Sequence, residues 1–318
     1  MLEAIFFLLL IIATLIVREQ SVVRTVIYLG VFSLFSALIY LLLGSPDVAM
    51  AEAIISAFST ILFIVCIEKY YERGGFVEGE RKKYKTLACW VKNCFIPLLF
   101  CCLLFAATVL FTPTFDVSTY LRDLYLTRAS FDVGGENVVG AIVLGYRMYD
   151  TLFEALILII AIVAVGHFSW STIEQTKNGH RSQIERSPFA IFSIKIIAPL
   201  MLVFAVYLVL NGHMSAGGGF QAGVAAASFF VCRYMVYNIY DLPIKKVLML
   251  EEMVFINMVI ISILAIFIGL FGQIPSQFLP LFQEIYLVTM NAMIGNKVAC
   301  GFFILFYRYI AIEKLEGT

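Results

Sequence analysis

The chain reads IIAPLMLVFAVYLVL over residues 196–210, NGHMSAGGGF over 211–220 and QAGVAAASFF over 221–230. A polar turn with three consecutive glycines therefore interrupts two apolar runs. Each run belongs to a longer apolar stretch, 188–210 and 218–238, that is long enough for a helix to cross a bilayer. Long apolar runs separated by short polar turns recur along the whole chain. This pattern predicts a bundle of membrane-spanning helices.

The composition agrees with a membrane protein. Of the 318 residues, 62% are apolar and 14% are charged, and the mean hydropathy is +0.95. Soluble domains are nearer half apolar and a quarter charged, so this chain has too little polar surface for a globule in water. The net charge of zero gives no sign of nucleic-acid binding. The apolar N-terminus lacks a basic region and a small-residue cleavage motif, so we expect a retained span and not a signal peptide.

We predict an all-α polytopic membrane protein with about nine transmembrane helices. The lengths of the apolar runs and the lack of alternating polarity favour helices. The expected spans are residues 2–17, 21–43, 47–68, 93–112, 150–170, 188–210, 218–238, 249–271 and 291–311.

The placement of lysine and arginine predicts the orientation. Basic residues concentrate in the connections after spans one, three, five and seven and at the C-terminus, and the other connections hold few. Because cytoplasmic loops are enriched in such residues, we expect the N-terminus outside and the C-terminus in the cytoplasm. The long basic connections 69–92 and 171–187 divide the spans into groups of three, two and four. We expect an outer-surface helix within the mixed stretch 113–149.

Ionisable residues inside apolar runs are candidates for an ion path, because a charge within a span costs at least about 2.5–3.5 kcal/mol on insertion scales. Glu52 lies among small residues and is expected to point into the bundle, or else to bond a neighbour at the interface. Asp47 precedes it, just after Pro46, in the first turn of a helix, where its charge complements the helix dipole.

A second group of ionisable residues lies at the start of the fifth span. Arg147, Asp150 and Glu154 are spaced three and four residues apart, which places them on one helix face. Arg147 can pair with either carboxylate, so Glu154 is either a proton-exchanging group or part of a static ion pair.

Two lysines complete the set of ion-path candidates. Lys195 is near the cytoplasmic end of span six and either reaches the interface or acts in transport. Lys297 lies in the outer half of the last span and needs a carboxylate partner, which another subunit could supply. Buried lysines change their protonation readily, and this property suits a proton relay.

The glycine segment predicts close packing. Gly219, Gly223 and Ala227 form a small-residue face for helix–helix contact, and Gly217 and Gly218 allow a sharp turn. A packed hairpin is favoured over an ion site here. His213 is expected to anchor the turn by hydrogen bonding or to serve an outer-side proton step.

No catalytic motif or metal-ligand spacing occurs among the histidines and cysteines. The seven cysteines form no CxxC pair and most lie in apolar runs. We therefore expect no catalytic residue, metal site or cofactor on this chain, which would not be an enzyme by itself.

Four motifs resemble a known family. GHMSAGGGFQAGV (212–224) is similar to the signature of the B subunit of Mrp-type multisubunit sodium/proton antiporters, and NAMIGNKVACGFF (291–303) resembles its last span in the membrane-bound hydrogenase version. PDVAMAEAIISAFSTILF (46–63) and GGENVVGAIVLGYRMYDTLFEALILI (134–159) resemble the C-terminal part of the Mrp A subunit.

The resemblance implies a fusion of D-, E- and F-like subunits of a membrane-bound hydrogenase. Its segments would be 1–75 (three helices, D-like), 76–175 (two helices, E-like) and 176–318 (four helices, Mrp B-like). It also implies that Glu52 and Glu154 lie on an ion path, that sodium ions and protons are the transported ions, and that Lys297 matches the hydrogenase-type lysine.

The resemblance further implies a non-redox membrane-arm subunit in a prokaryotic cell (inner) membrane. Its partners would be other Mrp-like membrane subunits (C-, D-, E-, F- and G-like) and redox-arm subunits. The redox-arm subunits would carry iron–sulfur clusters and, in a hydrogenase, a NiFe centre. Transport would then be coupled to ferredoxin-linked electron transfer. A stand-alone Mrp antiporter is the alternative, although no antiporter body precedes residue 47. A purely structural spacer with fixed ion pairs is the second alternative.

Overall fold

The computed structural model describes residues 2–19, 21–71, 103, 119–173, 188–237, 244–267 and 277–310. The described regular structure is helical, in agreement with the predicted fold class. The helices are α1 (Leu2–Arg18), α2 (Val22–Leu42), α3 (Pro46–Tyr71), α4 (Tyr120–Asp132), α5 (Val138–Ala141), α6 (Met148–Ile173), α7 (Pro188–Asn211), α8 (Gly219–Tyr237), α9 (Ile244–Phe267) and α10 (Leu279–Ile310).

Six of the described helices are long and apolar enough to cross a membrane, and the protein is accordingly a multi-pass membrane protein. These candidate spans lie in α2, α3, α6, α7, α9 and α10, and α1 is a shorter apolar helix. The predicted span 93–112 lies outside the described residues except for Leu103. The count of nine and the orientation stay predictions.

Helix α1 packs against α2, and α2 packs against α3. Gly44 has a φ of +77° in the tight turn before α3, and Pro46 begins α3 because a first-turn residue needs no backbone N–H. Gly30 lets α2 approach α3 closely, since a Cβ there would lie 2.8 Å from the Thr60 hydroxyl oxygen. The first three helices therefore form a unit with a close α2–α3 contact.

A π-helical turn at Ile142–Tyr146 separates α5 from α6. The backbone N–H of Arg147 donates to the Ile142 carbonyl at 2.8 Å, five residues back. The Thr151 hydroxyl donates to the Val143 carbonyl, and the Tyr286 hydroxyl of α10 donates to the Leu144 carbonyl, both at 2.8 Å. Side chains thus pair with carbonyls that the broken helix would otherwise leave without partners.

The last helix, α10, is the centre of the described bundle. It contacts α3, α6, α7, α8 and α9, and its face from Tyr286 to Tyr307 is largely buried. The predicted spans leave residues 272–290 in a connection, and the last predicted span begins at residue 291. This boundary was wrong, because the helix already begins at Leu279.

Candidate functional site

Lys297 and Glu251 form a buried ion pair between α10 and α9. The Lys297 side chain is 0% exposed and that of Glu251 is 2% exposed. The ammonium nitrogen also lies 5.3 Å from the centre of the Phe255 ring, where the face of the ring attracts a cation. The expected carboxylate partner of Lys297 therefore comes from this chain and need not come from another subunit.

A small cavity lies beside Lys297. Its volume is about 20 Å³, which is enough for one water molecule. Lys297 of α10 and Thr151 and Glu154 of α6 supply the polar lining, and Phe220 of α8 contributes to the apolar lining. The cavity thus brings two of the predicted ion-path residues, Glu154 and Lys297, to one place.

The three charged residues at the start of α6 do not act as one cluster. Arg147 lies in the turn before α6 and pairs with Asp150 at 2.6 Å, and both side chains are exposed. Glu154 is also exposed on the described chain. Among the described residues, Glu154 has no ion pair or hydrogen bond. Of the two pairings open to Arg147, the structure therefore contains the one with Asp150.

Glu52 lies within the packed hairpin of α2 and α3. Its carboxylate accepts a hydrogen bond from the Ser33 hydroxyl of α2. Ser33 is buried and Glu52 is half-buried. Glu52 thus points toward a neighbouring helix and has a polar partner there.

Lys195 and His213 lie apart from the Lys297 site. Lys195 is exposed on α7. His213 is 8% exposed, and its backbone carbonyl accepts from the Asn137 N–H at 3.0 Å. Within the described parts of the chain, its Nδ1 atom has no hydrogen-bond partner. His213 therefore anchors the turn through its backbone and not through Nδ1 of its ring.

A second polar cluster, the Asp47–Asn137–Gly217 junction, joins distant parts of the sequence. Asp47 Oδ1 accepts from the Asn137 amide at 3.0 Å and from the Gly217 N–H at 3.1 Å. The Asn137 amide also donates to the carbonyls of Gly212 and Ser215, at 3.1 and 2.9 Å. One carboxylate and one amide thus link α3, the loop before α5 and the glycine turn.

The glycine face of α8 packs directly on α10. A Cβ at Gly223 would lie 2.5 Å from Val298 Cβ and 2.6 Å from the Gly295 carbonyl. A Cβ at Gly219 would collide with the Asn291 carbonyl, and the Gly219 N–H donates to Asn291 Oδ1 at 3.0 Å. Gly217 and Gly218 have φ values of +149° and +139°, which suit glycine. The glycines therefore serve the turn and the close contact of two helices.

Tyr146 lies at the end of the π-helical turn, just before the α6 span. Its hydroxyl donates to Asp132 Oδ2 at 2.7 Å. Burial, followed by this hydrogen bond and the nearby Asp132 charge, raises the pKa of Tyr146 to about 12. Tyr146 is thus a neutral donor that ties α4 to the π-helical turn.

Sequence reasoning missed Glu251 and Asn137. Glu251 stands beside Glu252 near the start of a predicted span, where acidic residues look interfacial, yet only Glu251 of the two is buried. A signal was available, because Glu251, Met258, Ser262 and Ala265 recur at helical spacing and are all buried on α9. Asn137 carries the N-cap signature, since its Oδ1 accepts from the N–H groups of Val139 and Gly140.

Within the described ranges, no group of three or more His, Cys, Asp or Glu side chains could hold a metal ion. The polar side chains described at the Lys297 site are those of Lys297, Glu251, Glu154 and Thr151.

Two family models match separate parts of the chain. Residues 7–72 match the MbhD family, whose members are the D-type component of MBH. Residues 190–313 match the domain related to the MnhB subunit of Na+/H+ antiporters.

Proteins from two species also align with this chain. A protein of Methanocaldococcus jannaschii of unknown function is 25% identical over 251 residues, which are 67% of this chain and 92% of that protein. Proteins of several Staphylococcus aureus strains, named as antiporter subunit mnhA2, are 29% identical over 149 residues. That alignment spans 47% of this chain and only 17% of the mnhA2 protein.

Two solved structures share the fold. A chain of the Mrp complex from Dietzia sp. DQ12-45-1b superposes with a TM-score of 0.75 and 18% identity, over 99% of this chain and 35% of that one. A chain of the membrane-bound sulfane sulfur reductase, an archaeal respiratory membrane complex, superposes with a TM-score of 0.53 and 23% identity, over 67% of this chain and 94% of that one. The family matches support the predicted Mbh/Mrp-like fusion: a segment similar to MbhD precedes a domain related to the MnhB subunit of Na+/H+ antiporters.

Proposed function

We propose that this Mrp/Mbh-like antiporter-type subunit provides part of a path for sodium ions or protons across the membrane, with Glu154, Lys297 and Glu251 as its central groups. The observation that carries the proposal is the buried Lys297–Glu251 pair beside a water-sized cavity that Glu154 also lines. An ion path needs groups that can be occupied and then vacated, and a cavity next to them gives an ion or water molecule access.

The cost of these charges supports a transport role. Each ionisable residue within a span is expensive in a membrane, and such residues typically mark ion paths. Replacing a buried ion pair by apolar residues is often neutral or even stabilising, so the pair is a weak device for stability alone. We infer that Glu52, which bonds Ser33 in the α2–α3 hairpin, belongs to the same path at a second position.

We also propose the arrangement of the chain in the membrane. The three segments are 1–75, 76–175 and 176–318, with about nine spans, the N-terminus outside and the C-terminus in the cytoplasm. The MbhD match at 7–72 and the MnhB-related match at 190–313 support the first and third segments. The charge pattern of the connections supports the orientation.

The complex that we propose is a prokaryotic inner-membrane assembly that couples transport to ferredoxin-linked electron transfer. Its partners are other Mrp-like membrane subunits and redox-arm subunits with iron–sulfur clusters and, in a hydrogenase, a NiFe centre. The MbhD match and the superposition on 94% of a sulfane sulfur reductase chain support this proposal. The superposition of 99% of this chain on part of an Mrp complex chain favours the alternative, a stand-alone antiporter.

Transport measurements test the ion path. Inverted membrane vesicles that contain the whole complex are assayed for proton or sodium uptake with Glu52→Gln, Glu154→Gln and the control Glu252→Gln, which changes an exposed neighbour of Glu251. We expect at least a tenfold loss of uptake in the first two variants and none in the control. Normal uptake in both, with an intact complex, would support the second alternative, a structural spacer.

Mass spectrometry of the gently solubilised complex separates the two kinds of assembly. Chains with iron–sulfur motifs co-purify if this protein belongs to an oxidoreductase. Recovery of Mrp-like chains alone identifies the stand-alone antiporter.

A further inference from the structure

We infer that Lys297 is an exchangeable counter-ion, whose ammonium group pairs with Glu251 in the structure described and with Glu154, across the cavity, in an alternative state. This inference rests on the proposed function and specifies how two carboxylates on different helices are linked. It assigns a role to Glu251, which no motif of the sequence analysis included.

The geometry places one cation between two carboxylates. Glu251 holds the ammonium group on the α9 side, and Glu154 lines the cavity on the α6 side without a described partner of its own. Helix α10, which carries Lys297, contacts both α6 and α9. A lysine side chain has a flexible four-carbon stem, so its nitrogen can move while the backbone stays in place.

The lining of the cavity suits a visiting ammonium group or a bridging water. The Thr151 hydroxyl uses its hydrogen for the Val143 carbonyl, which leaves its oxygen free to accept a hydrogen bond from the cavity side. Phe255 lies on the Glu251 side and favours the cation there. The cavity volume of about 20 Å³ leaves room for one water molecule or for the ammonium group in its place.

The depths of the two carboxylates differ along the membrane normal. Glu154 is the seventh residue of α6 and Glu251 the eighth of α9, so each lies roughly 10 Å from the first residue of its helix at 1.5 Å per residue. In the proposed topology α6 runs inward and α9 runs outward. In that topology Glu154 lies nearer the outer surface and Glu251 nearer the cytoplasm.

Electrostatics couple the two positions. An ionised carboxylate without a partner is costly inside a membrane, so the carboxylate that Lys297 leaves must take up a proton or a sodium ion from the path. Cargo on Glu154 favours Lys297 on Glu251, and release of that cargo draws Lys297 to Glu154. The described titratable groups around Lys297 are Glu251 from α9, Glu154 from α6 and Cys300 on α10 itself.

Chemical labelling of Glu154 tests the exchange without relying on transport. Dicyclohexylcarbodiimide reacts with protonated carboxyl groups in apolar surroundings, and peptide mass spectrometry reports the extent of reaction at Glu154 in the intact complex. The wild type is compared with Glu251→Gln, with Glu251→Gln/Lys297→Gln, and with the exposed control Glu252→Gln.

The exchange predicts an order of labelling. In Glu251→Gln the ammonium group has Glu154 as its remaining carboxylate and keeps it ionised, so labelling falls below the wild type. In the double variant Glu154 has lost the cation, so labelling rises about tenfold above that of Glu251→Gln, because a nearby opposite charge changes the protonation equilibrium by at least about a factor of ten. Glu252→Gln labels as the wild type does.

A fixed ion pair predicts equal labelling of Glu154, within twofold, in all four proteins, and this result would overturn the inference. If Glu251→Gln alone fails to assemble, the extent of Glu154 labelling is compared between the wild type and the double variant. The double variant is suitable because it leaves neither charge of the pair buried without its partner. Normal transport in Glu154→Gln would instead refute the proposed function and leave the labelling order intact as a separate result.

Discussion

Replacing Asn137 with alanine is expected to lower the free energy of unfolding by about 4 kcal/mol, because this side chain bonds three separate parts of the chain. Its amide donates to the Asp47 carboxylate and to the carbonyls of Gly212 and Ser215. Its Oδ1 accepts from the first N–H groups of α5. Asn137 is also buried, so water cannot replace these bonds easily.

The magnitude follows from the kinds of bond that are lost. The amide has two hydrogens for its three acceptors, so at most two full bonds are counted. The bond to a charged carboxylate is worth about 1.5–3 kcal/mol and a neutral bond about 1 kcal/mol. Loss of the N-cap costs about 1 kcal/mol more. Together these terms give about 4 kcal/mol.

The assay is equilibrium unfolding of the detergent-solubilised chain with increasing sodium dodecyl sulfate, followed by intrinsic fluorescence. Asn296→Ala on α10 is the matched control, because Asn296 is exposed and its side chain makes no hydrogen bond within the described residues. A loss in Asn137→Ala that stays within 1 kcal/mol of the control would refute the reasoning, since the three segments would then be held together by other contacts.

Three further perturbations test the site and the packing around it. Lys297→Met alone should cost about 3–5 kcal/mol in the same unfolding assay, because it leaves the Glu251 charge buried without its partner. The double variant Glu251→Gln/Lys297→Met should be nearly neutral, and a loss as large as that of Lys297→Met would contradict this. Gly223→Ala should lower the free energy of unfolding by about 1–3 kcal/mol, since the new methyl group overlaps Val298 and the α8–α10 contact must open. An unchanged unfolding midpoint would show that the two helices adjust freely. The Tyr146 hydroxyl should ionise at about pH 12. Stability that depends on the neutral phenol is therefore present below pH 10 and is lost as the pH rises through 12. The difference in phenolate absorbance between the wild type and Tyr146→Phe measures this ionisation, and a component that titrates near pH 10 would count against the prediction.

Much of the helix pattern was predictable because apolar length and turn residues dominate it. The predicted spans 21–43, 150–170 and 188–210 correspond to helices Val22–Leu42, Met148–Ile173 and Pro188–Asn211. Their apolar runs are long enough to be recognised by length and composition alone. The ends fall at prolines, glycines and polar residues, which are local signals.

The start of α10 was not predictable from hydropathy, and the reason is physical. Residues 279–290 include Gln283 and Glu284, which lower the apolar character of the stretch. Gln283 is nevertheless buried, and its amide donates to the carbonyls of Phe131 and Asp132 at the end of α4. A polar residue that bonds another part of the protein looks, in the sequence, like one that faces water.

The candidate site, like the helices, was predictable only in part from the sequence. The high cost of a charge in a membrane identified Lys297 and Glu154 from the sequence. Their neighbours depend on which helices meet: Glu251 as the partner of Lys297, and a shared cavity with Glu154, follow from the contacts of α10 with α9 and α6. A single sequence without tertiary contacts does not contain this pairing.

The Asp47–Asn137–Gly217 junction also explains how separate segments of the chain can be held in one arrangement in a bilayer. Lipid is as apolar as the helix surfaces, so specific polar bonds and close small-residue contacts must set the arrangement of helices. Asp47, Asn137 and Gly217 supply such bonds between the three proposed segments, and α3 and α6 also contact α8 or α10. These contacts do not depend on the connecting peptide.

Co-expressed fragments 1–175 and 176–318 should therefore assemble, and the tagged second fragment should retain the first through detergent purification. Asn137→Ala should reduce this recovery severalfold, because it removes the amide that bonds both Asp47 and the carbonyls of the glycine turn, whereas Asn296→Ala should not. Failure of the wild-type fragments to associate would mean that the covalent connection holds the segments together. Equal recovery with Asn137→Ala would instead assign their association to other contacts, such as the α3–α8 and α6–α10 packing, and the bonds that Asn137 makes to the glycine turn would then add little.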